Sequence, residues 1–169
     1  MTNSHPQVSV LTIRHLDQVL AINNSNVPAV SELTAREFEF DLEHSLHALM
    51  IADESGDELR AFCVTFAPGA PYQSSNYKWF LDRYETFVYL DRIAVASQHQ
   101  NRGYGAALYG AVEKLMISDG VASTLTCEVN LQPPNPGSLR FHHRIGFSEV
   151  GQHESKPGLV VSMLAKVVY

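Results

Sequence analysis

Cysteine is nearly absent: the 169-residue chain has two, Cys63 and Cys127, and no CxxC pair. That excludes a small disulfide-framed scaffold and a cysteine-rich zinc module. Both residues sit in apolar, strand-like runs, where buried thiols in a reducing compartment are expected. No apolar run is long enough to span a bilayer. The first residues, MTNSHPQ, lack the apolar centre of a secretion signal. A cytoplasmic protein is therefore expected. Positive charge is also short, with 12 Lys and Arg against 18 Asp and Glu, a formal net charge of -6. Such a balance argues against nucleic acid or an anionic membrane as the main partner. There is no internal repeat, low-complexity tract or linker. Residues 1–169 are thus expected to form one domain, long enough for its own core.

What is present reads as alternating strands and helices. VSVLTIR (Val8–Arg14) alternates like a strand, and Leu16–Asn23 reads as a short helix. Thr34 and Glu37 have the spacing of a capping box at the start of a second helix. HALMIADE and ELRAFCVTFAP read as two strands around the turn ESGDE. In the irregular piece that follows, Tyr77, Phe80, Leu81 and Tyr84 share one face of a short helix. The strand Phe87–Val95 leads through a glycine turn into a helix over Tyr104–Ser118, and Ser123–Asn130 is another strand. Asn135 suits an N-cap and Pro136 a first helical position, so a last helix starts there. GFSEVGQHES and GLVVSMLAKVV close the chain as a hairpin. This order predicts an α/β (α+β) fold. Its sheet would be mixed, mostly antiparallel and twisted, with helices on both faces and a central β-α-β unit.

A strand, a glycine turn and a helix start make an anion site. The first helical N–H groups lack intrahelical partners, the dipole adds positive character, and Arg102 adds a formal charge. A phosphate loop of the GxxxxGK type is missing. A dinucleotide fingerprint would need a third glycine where Leu108 stands. A glycine turn that holds nothing is the plain alternative. However, Gln100-Asn101-Arg102-Gly103-Tyr104-Gly105 matches Q/R-x-x-G-x-G/A, a signature of the GNAT family of acetyl-CoA-dependent N-acetyltransferases. Asn135-Pro136-Gly137-Ser138, followed by Arg140-Phe141-His142-His143-Arg144-Ile145-Gly146-Phe147, resembles that family's later motif. The resemblance covers nearly the whole chain. It implies that Gln100, Asn101, Arg102, Gly103, Tyr104, Gly105 and Ala106 hold the pyrophosphate of acetyl-CoA, the co-substrate. It also implies that Ile93, Ala94 and Val95 pair with the pantetheine arm, that the next strand diverges to leave room for the thioester, and that Asn135 and Ser138 lie near the thiol end.

An amine that attacks the thioester must lose a proton, and the leaving thiolate benefits from an acid. Glu128, in CEVN, is the first candidate base. It resembles the Glu that serves protein-N-terminus-acetylating members of the family. The alternative is a strand-end Glu facing water or pairing with Arg92 or Arg140. Asp91, in YLDRIAV, is the rival base. His142 stands where the family usually carries an acidic Tyr. Either a protonated His142 replaces that Tyr, or the proton comes from water, Tyr104 or Tyr109. No metal is expected, since His142 and His143 are adjacent on a helix and face different ways. The resemblance implies that Asn23–Pro28 and Pro68–Glu85 shape the acceptor pocket. The aromatics of the second segment suit packing or a homodimer contact ahead of a cage for a cation. The expected reaction is acetyl transfer to a primary amine, small or on a peptide. The alternatives are a CoA-binding regulatory domain without catalysis and a nucleotide-binding domain.

Overall fold

The computed structural model describes residues 6–169, so MTNSH, most of the polar start MTNSHPQ, lies outside the described residues. Among these are seven strands: β1 (Val8–Val10), β2 (His47–Ala52), β3 (Leu59–Phe66), β4 (Val88–Val95), β5 (Thr124–Gln132), β6 (Ser148–Lys156) and β7 (Leu159–Val167). Five α-helices accompany them: α1 (Leu16–Ser25), α2 (Ala35–His44), α3 (Ser75–Leu81), α4 (Tyr104–Asp119) and α5 (Pro136–Arg144). The strand order is β1-β2-β3-β4-β5-β7-β6. β1 with β2, β2 with β3, β5 with β7 and β6 with β7 are antiparallel, whereas β4 and β5 run parallel. The mixed, mostly antiparallel sheet and the β4-α4-β5 crossover agree with the sequence reading.

Two compact units divide the chain. One takes the chain up to Thr65 together with Arg92–Lys114, and the other takes Phe66–Asp91 with Leu115–Tyr169. β4 gives its first four residues to the second unit and its last four to the first.

The first unit is built on the β2-β3 hairpin. Its turn holds because Asp53 Oδ1 accepts from the Asp57 and Glu58 amides at 2.9 and 3.0 Å. Val19, Phe38, Phe62, Leu108 and Val112 are buried at its centre. The capping box of α2 forms as spaced. Thr34 Oγ1 accepts from the Glu37 amide at 3.3 Å, and Glu37 Oε2 accepts from the Thr34 amide at 2.8 Å. The first strand is shorter than its alternation suggests. It ends at Val10, and a 3-10 turn over Ile13–His15 leads into α1. One further bond to β2 follows, from the Leu11 amide to Ala48 O at 2.9 Å, and past it buried His15 places Nε2 3.0 Å from Gly56 O.

The second unit packs α3 and β5–β7 around Tyr77, Phe80, Phe87, Tyr89, Leu125 and Met163, all buried. The Tyr77 and Tyr89 rings lie 5.6 Å apart, and Tyr72 stacks on Phe66 at 4.2 Å. The aromatic segment is therefore a packed helix. Trp79 lies on Gly151 of β6, where any Cβ would come within 2.6 Å of the indole. The Arg83 guanidinium sits 3.7 Å from the centre of the Trp79 ring, so the chain supplies its own cation there. Asn135 caps α5, with Oδ1 accepting from the Ser138 amide at 3.2 Å and Pro136 in the first turn.

Candidate active site

The glycine turn belongs to the first unit. After β4 a short 3-10 turn, Ser97–His99, leads to Gln100, and α4 starts at Tyr104. Asn101 has φ 60 and Gly103 φ 80. The left-handed conformation at 103 is what makes glycine the suitable residue, because a Cβ there would meet nothing within 4 Å and strain alone opposes it. The Ala107 amide donates to Gly103 O at 3.0 Å. The amides of Tyr104, Gly105 and Ala106, one turn earlier, have no carbonyl within the helix to bond. Arg102, Gly103 and Ala106 are exposed. A helix start presenting free N–H groups beside an exposed guanidinium suits a phosphate.

Both flanks of the turn are anchored. Ahead of it, buried His99 sets Nε2 3.1 Å from Glu58 Oε1, which makes the ring nitrogen the donor. Behind it, Arg60 Nη1 donates to the Tyr104 hydroxyl at 3.4 Å. Gln100 Nε2 donates to Asn26 Oδ1 at 3.4 Å, and Asn26 Nδ2 to Val95 O at 3.3 Å. Along this part of β4, Ala94 is buried while Ile93 and Val95 are half-buried. Glu58 and Arg60 carried no signal in the sequence, and Asn26 was expected only at the acceptor pocket, because each acts on the turn across more than 40 residues.

Glu128 belongs to the second unit. β4 and β5 pair through Val88↔Leu125 and Tyr89↔Thr126, which sets Glu128 two residues along its strand from Thr126, as Asp91 is from Tyr89. Leu125, Cys127 and Val129 are buried, and Glu128 is half-buried. Glu128 Oε1 accepts from Asn76 Nδ2 and from the Tyr89 hydroxyl, each at 2.9 Å. Burial, and then the charges of Glu128 and Asp91, raise the Tyr89 pKa well above its ordinary value. The phenol therefore stays protonated and donates. Two cations were considered as partners for Glu128. Arg92 Nε lies 3.4 Å from Asp41 Oδ2, both buried in the first unit, and Arg140 is exposed.

His142 is buried, with Nδ1 2.7 Å from its own helix's Ser138 carbonyl and 3.3 Å from the Ser138 hydroxyl. A carbonyl only accepts, so Nδ1 carries the proton. Burial lowers the His142 pKa, outweighing the Ser138 bond that raises it. The cationic form on which an acid role depends is thus disfavoured. Asn135 spends its side chain on the cap and Ser138 lies against His142, so both have work inside α5. Among the described residues no group of three His, Cys, Asp or Glu could hold a metal ion, and no helix is long and apolar enough to cross a membrane.

Comparison with known proteins bears on this arrangement. Arabidopsis thaliana NAA60, solved in complex with a bisubstrate analogue, is similar in fold, with TM-score 0.75 and 16% identity over 96% of this chain and 98% of that one. The ribosomal-protein-S18-alanine N-acetyltransferase from Escherichia coli gives TM-score 0.70 and 18% identity, covering 97% and 94%. The NatC complex bound to Gag peptide and CoA gives 0.74 and 11%, covering 98% and 100%. No curated protein matches by sequence. The model of the acetyltransferase (GNAT) family matches residues 16–147, a stretch that runs from the start of α1 through the glycine turn, Glu128 and α5. The chain belongs to the acetyltransferase (GNAT) family and is an acyltransferase.

Proposed function

We propose that this chain, acting as one functional domain, moves an acetyl group from acetyl-CoA to a primary amine by direct attack, with Glu128 as the base. The amine nitrogen forms the new bond to the thioester carbon, the carbon–sulfur bond breaks, and CoA leaves as thiolate. The proton lost by nitrogen goes to the Glu128 carboxylate, and the thiolate is protonated from water. Asp91 is the reserve for the base. His142 is kept as a positioning residue of α5, given its burial and its bond to Ser138. The pyrophosphate is assigned to the amides of residues 100–106 and to Arg102. Ile93, Ala94 and Val95 are assigned to the pantetheine arm, and Asn135 and Ser138 to the α5 side of the thiol end.

The observation that carries the reading is the setting of Glu128. A half-buried carboxylate on an inner strand is costly unless paired or used. This one accepts from two neutral donors, Asn76 and Tyr89, each at 2.9 Å. Such bonding orders the carboxylate and favours its charged form, the form a base needs. A metal-free direct transfer needs that much from the protein and little more.

The test has two arms. Acetyl-CoA is titrated calorimetrically into the parent and into Ala106→Glu. The new carboxylate falls in the first turn of α4, where it favours the helix and disfavours a phosphate. Binding by the parent and loss in the variant are expected, and a folded parent that binds no acetyl-CoA ends the acetyltransferase reading. Thiol release is then followed over a panel of amines. Glu128→Gln keeps an oxygen for both donors and should lower turnover about 10²- to 10⁴-fold. Unchanged turnover would move the base to Asp91. CoA binding with no turnover on any amine would favour a regulatory CoA-binding domain.

A further inference from the structure

Asn76 is the single asparagine of α3, in the segment Pro68–Glu85 that separates β3 from β4. Its amide is used on one side only. Nδ2 donates to Glu128 Oε1 at 2.9 Å, whereas Oδ1 is buried and has no hydrogen-bond partner. The orientation follows from chemistry. An ionised carboxylate only accepts, and Glu128 Oε1 already takes the Tyr89 hydroxyl, so the NH₂ group must face it and the carbonyl must face away. A buried carbonyl oxygen without a partner is uncommon in a native protein, and each such atom calls for an explanation.

We infer that Asn76 is an acceptor-binding residue, whose Oδ1 takes a hydrogen bond from the nitrogen of the incoming primary amine beside Glu128. This rests on the reading of Glu128 as base. An ammonium brings three N–H groups. One goes to the carboxylate as the proton to be removed, and another goes to Asn76 Oδ1. When the proton has moved, the neutral amine still has an N–H for Asn76, so the nitrogen stays held while its lone pair is freed. Asn76 also bonds the base itself through the other end of the same amide, so nitrogen and base are registered by one planar group. A hydroxyl acceptor has a single hydrogen and cannot serve both. It leaves a buried acceptor unpaired, which costs roughly ten- to a hundredfold in binding. The site therefore selects primary amines over alcohols of the same shape, and the selecting residue comes from α3, outside the strands.

The experiment reads the side-chain amide of Asn76 directly. In a ¹⁵N-edited spectrum of the CoA-loaded protein, the Asn76 NH₂ cross-peak is assigned by its loss in Asn76→Leu. n-Propylammonium chloride and n-propanol are then titrated separately. The cross-peak should move with the amine and stay with the alcohol. An Asn76 cross-peak unmoved by the amine overturns the inference, whatever other peaks do. In kinetics with the amine that turns over, Asn76→Leu should raise KM for that amine about ten- to a hundredfold and leave KM for acetyl-CoA within about twofold. Equal loss in both would mean a structural role and would also overturn it. The two ideas fail separately. Glu128→Gln with full turnover sinks the base while the Asn76 peak can still respond. A silent Asn76 in an enzyme that Glu128→Gln inactivates sinks the amine contact alone.

Discussion

Replacing Arg92 with Met should destabilise the fold by about 3–5 kcal/mol, because it leaves a charge behind. Arg92 and Asp41 are both buried, with Nε 3.4 Å from Oδ2. Arg92 Nη1 also donates to Ser31 O at 2.9 Å and to Asn23 Oδ1 at 3.3 Å. Met fills much of the volume of the stem, so the loss is electrostatic and polar and leaves no large cavity. For a chain of this length each kcal/mol moves Tm by about 2–4 °C, so the midpoint should fall by about 6–20 °C. Against a whole stability of about 5–15 kcal/mol, that is a large share. The double variant Asp41→Asn/Arg92→Met removes the stranded carboxylate and should regain most of the loss. Chemical denaturation of the parent, both single variants and the double variant gives the coupling directly. A second effect is local: the segment from Asn23 to Ser31 loses its tie, and limited proteolysis should cut there first. A loss below about 1 kcal/mol for Arg92→Met would refute the reasoning, since surface ion pairs are worth that little. So would a double variant no better than the single.

Two further outcomes follow from buried groups. Tyr89→Phe keeps the ring but removes a hydrogen bond to the ionised Glu128, worth about 1.5–3 kcal/mol in general. With Asn76 still donating, the acid limb of the kcat/KM profile should move to higher pH. The sign is upward because the lost bond favoured the charged form, and a limb that stays or moves down contradicts it. Burial pushes the Cys63 thiol up to about 12 from an ordinary 9.0. The folded state then holds its proton where the unfolded state releases it, so stability falls as pH rises above about 9. Cys63→Ala should flatten that fall, and in the native parent at neutral pH iodoacetamide should label Cys63 only as fast as the chain unfolds.

Much of the fold was legible because its signals are local. The capping box at Thr34 and Glu37, the Asn135 cap with Pro136, the hairpin turn before β3 and the glycine turn before α4 each depend on a few neighbouring residues. The exception at Val8–Arg14 is instructive. Its alternation is real, yet Val10 and Ile13 are exposed, and the chain turns at Ile13–His15, where His15 reaches the distant Gly56 carbonyl. The candidate site was legible in part. Glu128 stood out as a carboxylate on an apolar strand, but its rival explanation was a bond to Arg92 or Arg140. Nothing near it in the chain pointed to Asn76, 52 residues away, or to Tyr89 as a donor. His142 was visible as a departure from the resembling motif, but its proton position was not.

Backbone geometry that a residue imposes on itself or on the next turn of chain was decided by composition and order. Gly103 can take φ 80 cheaply, and the helix beginning at Tyr104 must leave its first amides unpaired, whatever surrounds them. Partnership was decided only by tertiary structure. A carboxylate becomes a candidate base, an ion pair or a solvated side chain according to which groups lie within about 3 Å of it, and hydrogen bonds lose their strength beyond that range. Glu128 with Asn76 and Tyr89, Arg92 with Asp41, and His142 against the Ser138 carbonyl all acquire their chemistry from such short contacts. Desolvation acts in the same way, since the burial that keeps the Tyr89 phenol protonated and His142 neutral exists only once the strands and helices have closed around them.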